Sequence, residues 1–400
     1  MTDSADVIVV GLGAMGAAIL YQLARRGVRA VGVDRFAPPH DRGSSHGETR
    51  LTRQAIGEGA AYVPLALRSH AIWRELEDAT GEALLLECGY LAIDDTGGRA
   101  PMHGKPHFVA RTVEMARRFG IAHETLTPEE AMQRFPAFAL KGSEEVYFEP
   151  GGGMVYAERC IAAQLDRARA LGARLLLDDP VMTVSHARDG VRVETATRSI
   201  AGDRVVIAAG GWTPGLVGAP LARLAILRQT LHWFQPIDPA RFSSEHFPTF
   251  TWAHGMSAED CLYGFPIAPG GLPGVKLASE QFSYASPTPE AIDRDVPARE
   301  SAAMYRRHVS ERLIGLRTAT IRAEPCFYVN APDGDFIIDT VPGSERMTIV
   351  SACSGHGFKH SAGLGDHVAG LLTGEEAPIA AFALDRPALR LPAQTLEKAS

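Results

Sequence analysis

Residues 6–34, DVIVVGLGAMGAAILYQLARRGVRAVGVD, decide the fold of this chain. The β-branched run 7–10 is typical of a buried parallel strand. The Ala- and Leu-rich run 17–26 predicts a helix that ends at Gly27, and residues 31–33 predict a second strand that ends at Asp34. The stretch therefore predicts one strand–turn–helix–strand unit of a parallel sheet.

The turn between the first strand and the helix has the spacing G-x-G-x-x-G. Gly11 allows a tight turn, Gly13 lets the backbone approach a pyrophosphate, and Gly16 lets the helix pack on the strand. Asp34 stands where an acidic side chain accepts a hydrogen bond from a ribose hydroxyl, and its charge disfavours the 2′-phosphate of NADP. The alternative is an ordinary turn that binds nothing, and the stretch alone leaves FAD and NAD open.

The composition excludes several classes of protein. A length of 400 residues suggests two domains, and a net charge of −7 offers no basic surface for nucleic acid. No apolar run approaches the roughly 18 residues of a membrane span, and the first predicted strand begins too early to leave room for a signal peptide.

The cysteines also bear on the compartment. Their number is odd and their positions are widely spaced: Cys88, Cys160, Cys261, Cys326 and Cys353. This pattern disfavours a disulfide framework and a metal site, so we expect no metal and a cytoplasmic location.

A second glycine turn lies near the other end of the chain. A predicted strand at 347–352 runs into SGHGFK (354–359), and a helix is predicted at 362–372. Such a turn directs backbone N–H groups towards an electron-rich ligand. A further buried strand, which ends at Gly210 and Gly211, is expected to return to the same sheet beside the cofactor.

These pieces predict an α/β (α+β) fold with two domains. Segments 1–83, 151–217 and 329–400 are expected to form a discontinuous Rossmann-like domain that binds FAD. Segments 84–150 and 218–328 are expected to form a β-sheet-rich substrate domain. The discontinuity favours FAD over NAD by analogy with known folds.

Several motifs carry a resemblance to a known family. They are, in chain order, GSSHGETRLTR (43–53), YGFP (263–266), VKL (275–277), CFY (326–328), DFIID (335–339) and SGHGFK (354–359). Together with the first glycine turn they resemble the monomeric sarcosine oxidase and N-methyltryptophan oxidase family, whose fold is D-amino-acid-oxidase-like. The resemblance extends over nearly the whole chain.

The resemblance implies how the cofactor and the substrate are held. It implies that FAD is attached to Cys326 by a thioether at the 8-methyl carbon of the ring; the alternative is a small buried cysteine, with Cys353 as the fallback attachment site. Arg53 and Lys359 match the family's carboxylate-binding pair, one a planar fork and the other a point charge.

Further roles follow from the same resemblance. Lys276 matches the lysine that promotes reaction with oxygen, as a fixed cation would. His46 and Arg50 match residues near the flavin, and Tyr263 and Tyr328 match residues of the substrate pocket. Cofactor contacts are expected at Ser44, Thr49, Arg50, Gly210, Gly355, Gly357 and Lys359.

The chain departs from the family pattern around the substrate pocket. Glu280 stands where sarcosine-specific members carry a pocket histidine, and APGGLPG (268–274) contains two extra residues. His254 lies in the region of an apolar pocket residue. We infer that the amine or side-chain end of the substrate is recognised differently, and that Glu280 holds a cationic or hydrogen-bonding group of the substrate.

The expected activity is oxidative demethylation of an N-methyl amino acid to the amino acid, formaldehyde and hydrogen peroxide. The partners are then a small amine and O2, and a monomer is expected. The alternative is oxidation of a cyclic imino acid, such as a pipecolate- or proline-like substrate, without release of formaldehyde. More distant alternatives are an FAD dehydrogenase that passes electrons to a carrier and a flavoprotein without catalytic activity.

Overall fold

Strand β1 (Asp3–Val10) lies inside a sheet and is buried on both of its faces. The computed structural model describes residues 3–95 and 100–390. Val7 and Val9 pack into one hydrophobic cluster, whereas Ile8 and Val10 pack into another on the opposite face. Successive side chains of a strand point to opposite faces, so a β-branched run without polar interruptions fits a strand that is covered on both sides.

The elements of the described residues alternate between strands and helices along much of the chain. The strands are β1, β2 (Ala30–Val33), β3 (Thr49–Thr52), β4 (Leu85–Leu86), β5 (Tyr90–Asp95), β6 (Glu124–Leu126), β7 (Glu144–Glu149), β8 (Gly153–Tyr156), β9 (Arg174–Leu176), β10 (Val181–Ala187), β11 (Gly190–Thr195), β12 (Ser199–Ile207), β13 (Ala225–Pro236), β14 (Thr249–Ala253), β15 (Cys261–Gly264), β16 (Val275–Ser279), β17 (Ala285–Ser286), β18 (Leu316–Asn330), β19 (Ile337–Val341) and β20 (Ser344–Ser351). The α-helices are α1 (Ala14–Arg25), α2 (Val63–Thr80), α3 (Phe108–Phe119), α4 (Pro128–Arg134), α5 (Ala157–Ala170), α6 (Thr213–Val217), α7 (Ala298–Met304), α8 (Ser361–Thr373) and α9 (Pro387–Arg390).

The first sheet is built around β1. Its order is β10-β11-β12-β1-β2-β9, and β20 pairs with both β12 and β19. β1 is parallel to β12 and to β2, and β20 is parallel to β12. Each of the three segments predicted for the FAD-binding domain contributes strands to this sheet. The α/β class is therefore confirmed, while residues 391–400 of the last segment lie outside the described residues.

The second sheet carries two of the predicted substrate residues, Tyr263 on β15 and Tyr328 on β18. Its order is β17-β13-β16-β15-β14-β5-β7-β6, with β18 beside β13. A third, three-stranded sheet has the order β3-β8-β4 and joins strands from both predicted domains. The division of the chain into two domains at the boundaries given above stays a prediction.

Helix α1 approaches the first glycine turn very closely. A Cβ atom on Gly16 would lie 1.7 Å from the carbonyl oxygen of Gly11. Gly11 itself has a φ of +87°, and a Cβ there would lie 2.6 Å from the Cα of Ala209. These two glycines are therefore needed for the packing of α1 and β12 around the end of β1, as the sequence predicted.

Two further observations concern the helices and the cysteines. No helix among the described residues is both long enough and apolar enough to cross a membrane. Each of the five cysteines is present as a free thiol in the described structure.

We expect Gly16→Ala to prevent α1 from packing on β1, because its Cβ would meet backbone rather than a side chain that can move. Overpacking of this kind costs about 3 kcal/mol or more, which a lower midpoint of thermal unfolding would report. The matched control is Gly215→Ala, where a Cβ has no atom of the described residues within 4 Å. Equal unfolding temperatures for the two variants would contradict this account of the turn.

Candidate cofactor and substrate site

An elongated cavity opens at the carboxyl ends of β1 and β2. Its volume is about 390 Å³. The wall brings together residues that the sequence assigned to the cofactor, namely Gly11, Gly13, Asp34, Ser44, Arg50, Gly210, Gly355 and Gly357. Ligands of open α/β sheets bind at this edge of the sheet. We refer to this space as the larger cavity.

The backbone at Gly13 leaves room for a ligand. Gly13 is the N-cap of α1, and the nearest atom to a Cβ placed there would be Ser45 Oγ, at 3.9 Å. The first N–H groups of a helix have no partner within the helix and attract anions. The open space at this end of α1 therefore fits the pyrophosphate of a dinucleotide.

Asp34 is held at the wall of the larger cavity by the glycine turn itself. Its Oδ2 accepts a hydrogen bond from the Leu12 N–H at 2.6 Å, and its Oδ1 accepts one from the Phe36 N–H at 2.8 Å. These contacts orient the carboxylate and leave lone pairs for a ribose hydroxyl. The fixed negative charge is consistent with the prediction that NADP does not bind here.

The second glycine turn repeats the close approach seen in the first. A Cβ on Gly357 would lie 1.8 Å from the carbonyl oxygen of Ala352, just after β20. Gly355 has a φ of +78°, which favours glycine, and a Cβ there would lie 3.1 Å from the Tyr328 ring. The two turns therefore bring backbone to the larger cavity from both ends of the chain.

A smaller cavity, of about 80 Å³, adjoins the larger one. Predicted residues that line it are Arg50, Arg53, Tyr263, Lys276, Glu280, Cys326, Tyr328, Gly355 and Lys359. Arg50, Tyr328, Gly355 and Phe358 line both cavities, so the two spaces meet at these residues. A molecule in the smaller cavity would thus contact the end of a cofactor in the larger one.

Lys276 is buried, which the sequence alone could not reveal. Its Nζ donates hydrogen bonds to the carbonyl oxygens of Gly47, at 2.8 Å, and Thr49, at 2.6 Å. It also lies 3.9 Å from the centre of the Phe265 ring. Burial, reinforced by the charge of Arg50, holds the pKa of Lys276 well below its usual range. The two hydrogen bonds fix Nζ of Lys276 in place at the smaller cavity.

Arg53 has a partner that the sequence reasoning missed. Its Nη2 donates to both carboxylate oxygens of Glu58, at 2.7 and 2.8 Å, and its Nη1 donates to the carbonyl of Ala55. The Nε of Arg53 is buried and has no partner among the described residues. Burial opposes ionisation of Glu58, yet Arg53 and a hydrogen bond from His103 hold the Glu58 pKa well below its usual range. In the sequence, this ion pair is indicated only by the acidic residue Glu58 five positions after Arg53.

Lys359 lies beside this ion pair. Its Nζ donates to the carbonyl of His356 at 2.7 Å, and the residue is buried. Burial and the charge of Arg53 lower the pKa of Lys359 to about 7. An anion that binds next to Lys359 would favour its protonated form.

A histidine that the sequence reasoning missed connects two carboxylates. His103 Nε2 lies 2.7 Å from Glu280 Oε1, and its Nδ1 lies 2.9 Å from Glu58 Oε1. Burial alone would lower the pKa of His103, but Glu280 and Glu58 raise it to about 9. His103 lies in an irregular Pro- and Gly-containing segment, where no periodicity points to burial.

The two predicted pocket tyrosines contact one another. The hydroxyl oxygens of Tyr263 and Tyr328 lie 3.1 Å apart at the smaller cavity. Burial raises the pKa of both phenols, so both hydroxyls stay protonated. One hydroxyl donates to the other, which leaves one O–H to donate to a ligand.

Three predicted residues line neither of the two cavities. Gly16 packs α1 on the turn, and Thr49 contributes its carbonyl to Lys276. His46 is buried with its Nδ1 3.4 Å from Glu324 Oε1, while its Nε2 has no partner among the described residues.

The two candidate attachment cysteines face different spaces. Cys326 lines the smaller cavity, whereas Cys353 lines the larger one. Burial raises the pKa of the Cys326 thiol to about 11.

Comparison with known proteins agrees with this geometry. Residues 6–371 match the family model described as FAD dependent oxidoreductase (DAO). The chain is 36% identical to monomeric sarcosine oxidase of Streptomyces avermitilis over 390 residues, which cover 96% of this chain and 97% of that protein. It is 32% identical to N-methyl-L-tryptophan oxidase of Yersinia pestis, with 95% of this chain and 99% of that protein covered.

Solved structures show the same fold. NikD, titled an unusual amino acid oxidase essential for nikkomycin biosynthesis, superposes with a TM-score of 0.80 at 22% identity, covering 96% of this chain and 97% of that one. The chain therefore belongs to the FAD dependent oxidoreductase family and, within it, to the family of monomeric sarcosine oxidase and N-methyl-L-tryptophan oxidase.

Proposed function

We propose that this protein is an FAD-dependent oxidase of secondary amines that demethylates an N-methyl amino acid. The amine, O2 and one water molecule give the amino acid, formaldehyde and hydrogen peroxide, since the imine left by oxidation is hydrolysed. The observation that carries the proposal is the small cavity with Arg53 and Lys359 in its wall, which meets the dinucleotide cavity at Arg50, Tyr328 and Gly355. The names of the relatives, which act on sarcosine and N-methyltryptophan, support the same substrate class.

The cofactor would be held by the larger cavity. The α1 N-terminus at Gly13 fits the pyrophosphate, and Asp34 fits the adenosine ribose. When bound, FAD accepts an electron pair from the substrate carbon next to nitrogen and passes it to O2. Arg50 lines both cavities and places a positive charge where the reduced ring would carry negative charge.

Arg53 and Lys359 would bind the substrate carboxylate. Lys359 supplies a point charge, and the unpartnered Nε of Arg53 supplies a donor in the same buried wall. Tyr263 and Tyr328 close the cavity beside them and exclude water. Holding the amine in one orientation is the main contribution of such a site to the rate.

Lys276 would promote the reaction with oxygen. Its Nζ is fixed by two carbonyl oxygens, and an anion that forms nearby would favour its protonated form, so the charge would need no reorientation of the side chain. A preorganised charge in a buried site stabilises such an anion more strongly than a mobile charge in water does.

We further propose that FAD is attached covalently to Cys326 through a thioether at the ring's 8-methyl carbon. Support comes from the position of Cys326 in the smaller cavity, on the side where the two cavities meet at Tyr328. His46 and Glu324 lie on the same side of the site, since Glu324 and Cys326 share strand β18. We expect the enzyme to work as a cytoplasmic monomer.

The function is tested by anaerobic bleaching of the flavin with a panel of N-methyl amino acids and cyclic imino acids. We expect N-methyl amino acids to bleach it, and in air to release formaldehyde and hydrogen peroxide in equal amounts. Bleaching by proline or pipecolate without formaldehyde would favour the cyclic substrate class. If no amine of the panel bleaches the flavin, the proposed oxidase function is wrong.

Cys326→Ser should abolish the covalent attachment, because serine cannot form the thioether. Mass spectrometry of the denatured wild type should show the mass of the polypeptide plus flavin, and the variant should show the polypeptide alone. Cys353→Ser is the matched control and should keep the flavin attached. Release of free flavin from the denatured wild type would refute the attachment.

Lys276→Met should slow reoxidation of the reduced flavin by about 100-fold, since it removes a preorganised charge and keeps most of the side-chain volume. Stopped-flow mixing of the reduced protein with oxygenated buffer measures this rate. The exposed Lys141→Met variant should reoxidise as the wild type does. An unchanged oxygen rate in Lys276→Met would remove the assigned role.

A further inference from the structure

We propose that the free carboxylate oxygen of Glu280 accepts a hydrogen bond from an N–H group of the substrate, and that His103 is the positioning residue that aims it. This inference rests on the proposed amine oxidase function and deepens it. It assigns a recognition point for the nitrogen-bearing part of the substrate, opposite in charge to the carboxylate-binding pair.

Glu280 is placed for this role by strand β16. It directly follows that strand, which also carries Lys276, and its side chain is only 3% exposed. Oε1 is 2.7 Å from His103 Nε2, but Oε2 is buried and has no partner among the described residues. A buried acceptor without a hydrogen bond costs about 1–3 kcal/mol, and more when it is charged. A ligand that donates to Oε2 would remove this cost.

His103 determines which oxygen of Glu280 remains free. Its two ring nitrogens face Glu58 and Glu280, so a protonated imidazole donates to both carboxylates at once. Glu58 is in turn bound by Arg53 through both oxygens. The result is a buried chain of alternating charges, Arg53–Glu58–His103–Glu280, that holds Glu280 in one orientation.

The charges of the smaller cavity point to a zwitterion. Four of its lining residues are basic side chains of lysine or arginine, Arg50, Arg53, Lys276 and Lys359. Glu280 is the acidic residue among the described residues that line it. A carboxylate of the substrate is therefore attracted to the lysine and arginine wall, and an N–H donor is attracted to Glu280.

Two N–H groups of an N-methyl amino acid could satisfy Glu280. One is the secondary amine itself, and the other is an ammonium or amide at the end of a side chain. Both would donate an N–H hydrogen bond to Oε2. The structure therefore assigns Oε2 as the acceptor, and a comparison of substrates identifies the donor. The titratable groups that interact with Glu280 are His103, Lys359, Tyr263, Tyr328 and Cys261.

Glu280→Gln is a sharp test because its amide cannot accept on both sides. The amide oxygen is required by the N–H of His103, so the NH2 group turns towards the cavity and a donor faces a donor. We expect the rate of anaerobic flavin bleaching per substrate concentration to fall about 10- to 100-fold for substrates that use Glu280. Glu259→Gln is the matched control, since Glu259 binds the nearby backbone of Phe282 and Ser283 outside the cavity wall.

Isosteric probes identify the donor. N-methylornithine and N-methylnorleucine differ in a terminal ammonium, so a loss confined to N-methylornithine assigns the side chain. An equal loss for both assigns the secondary amine. Methoxyacetate has the shape of sarcosine without the N–H, so its dissociation constant, read from the flavin spectrum, should not rise in Glu280→Gln, whose NH2 group can donate to the ether oxygen. A loss of methoxyacetate binding as large as that of the amines, or no loss for any amine, would overturn the proposal.

A separate measurement, the pH dependence of binding, tests the role of His103. Its pKa of about 9 means that the proton between the two carboxylates is present at neutral pH and is lost as the pH rises through about 9. The preference of the wild type for sarcosine over methoxyacetate, measured as a ratio of dissociation constants, should therefore weaken in that range. His103→Gln should show a weaker preference, whose pH dependence is that of the sarcosine amine alone. A wild-type ratio with the same pH dependence as that of His103→Gln would contradict the positioning role.

Different results would refute the oxidase function and the role of Glu280. If no amine bleaches the wild-type flavin, the oxidase function is wrong, and the acceptor role is then decided by the binding ratios alone. If amines bleach the wild type and Glu280→Gln equally well, the oxidase function stands and the Glu280 assignment is wrong.

Discussion

The structure depends on how closely two helical segments approach the ends of two strands. At Gly16 and at Gly357, a single added carbon would lie within 2 Å of a backbone oxygen, that of Gly11 and that of Ala352. No rotamer change relieves contact with backbone, so both positions must be glycine. Because of these approaches, backbone from residues near both ends of the chain lines one cavity, and the dinucleotide site is open enough for a pyrophosphate.

The charged side chains of the smaller cavity are held in place by ion pairs and hydrogen bonds and not by close packing. Lys276 is bound by two carbonyl oxygens, and Arg53 is bound by Glu58. Buried charges are costly unless they are paired or hydrogen-bonded, and here nearly every one has a partner. Two of the exceptions among the described residues are informative: Glu280 Oε2 and Arg53 Nε are buried acceptor and donor atoms without partners, both on residues of the smaller cavity. A substrate carboxylate would accept a hydrogen bond from Arg53 Nε, and a substrate N–H group would donate one to Glu280 Oε2.

Local patterns predicted the cofactor half of the site better than the substrate half. The glycine spacing, the β-branched run and Asp34 belong to one contiguous stretch, and each has a local steric or hydrogen-bonding reason for its position. The residues of the smaller cavity come from β3, β13, β14, β15, β16, β18, the irregular segment with His103 and the turn after β20. The family resemblance named most of them, but it did not reveal Glu58 or His103, which lie outside its motifs. Glu58 binds the nearby Arg53, but it is connected to Glu280 only through His103, which is distant from both carboxylates in sequence.

The sequence by itself determined the dinucleotide fold, the acidic residue that follows its second strand and the presence of a second glycine turn. These properties arise from steric and charge effects between residues that are near one another in the chain. Only the tertiary structure decided that Lys276 is buried, that Arg53 is paired with Glu58, and that His103 leaves one oxygen of Glu280 free. The reason is that a charge's environment depends on every element packed around it, and here those elements are separated by up to about two hundred residues.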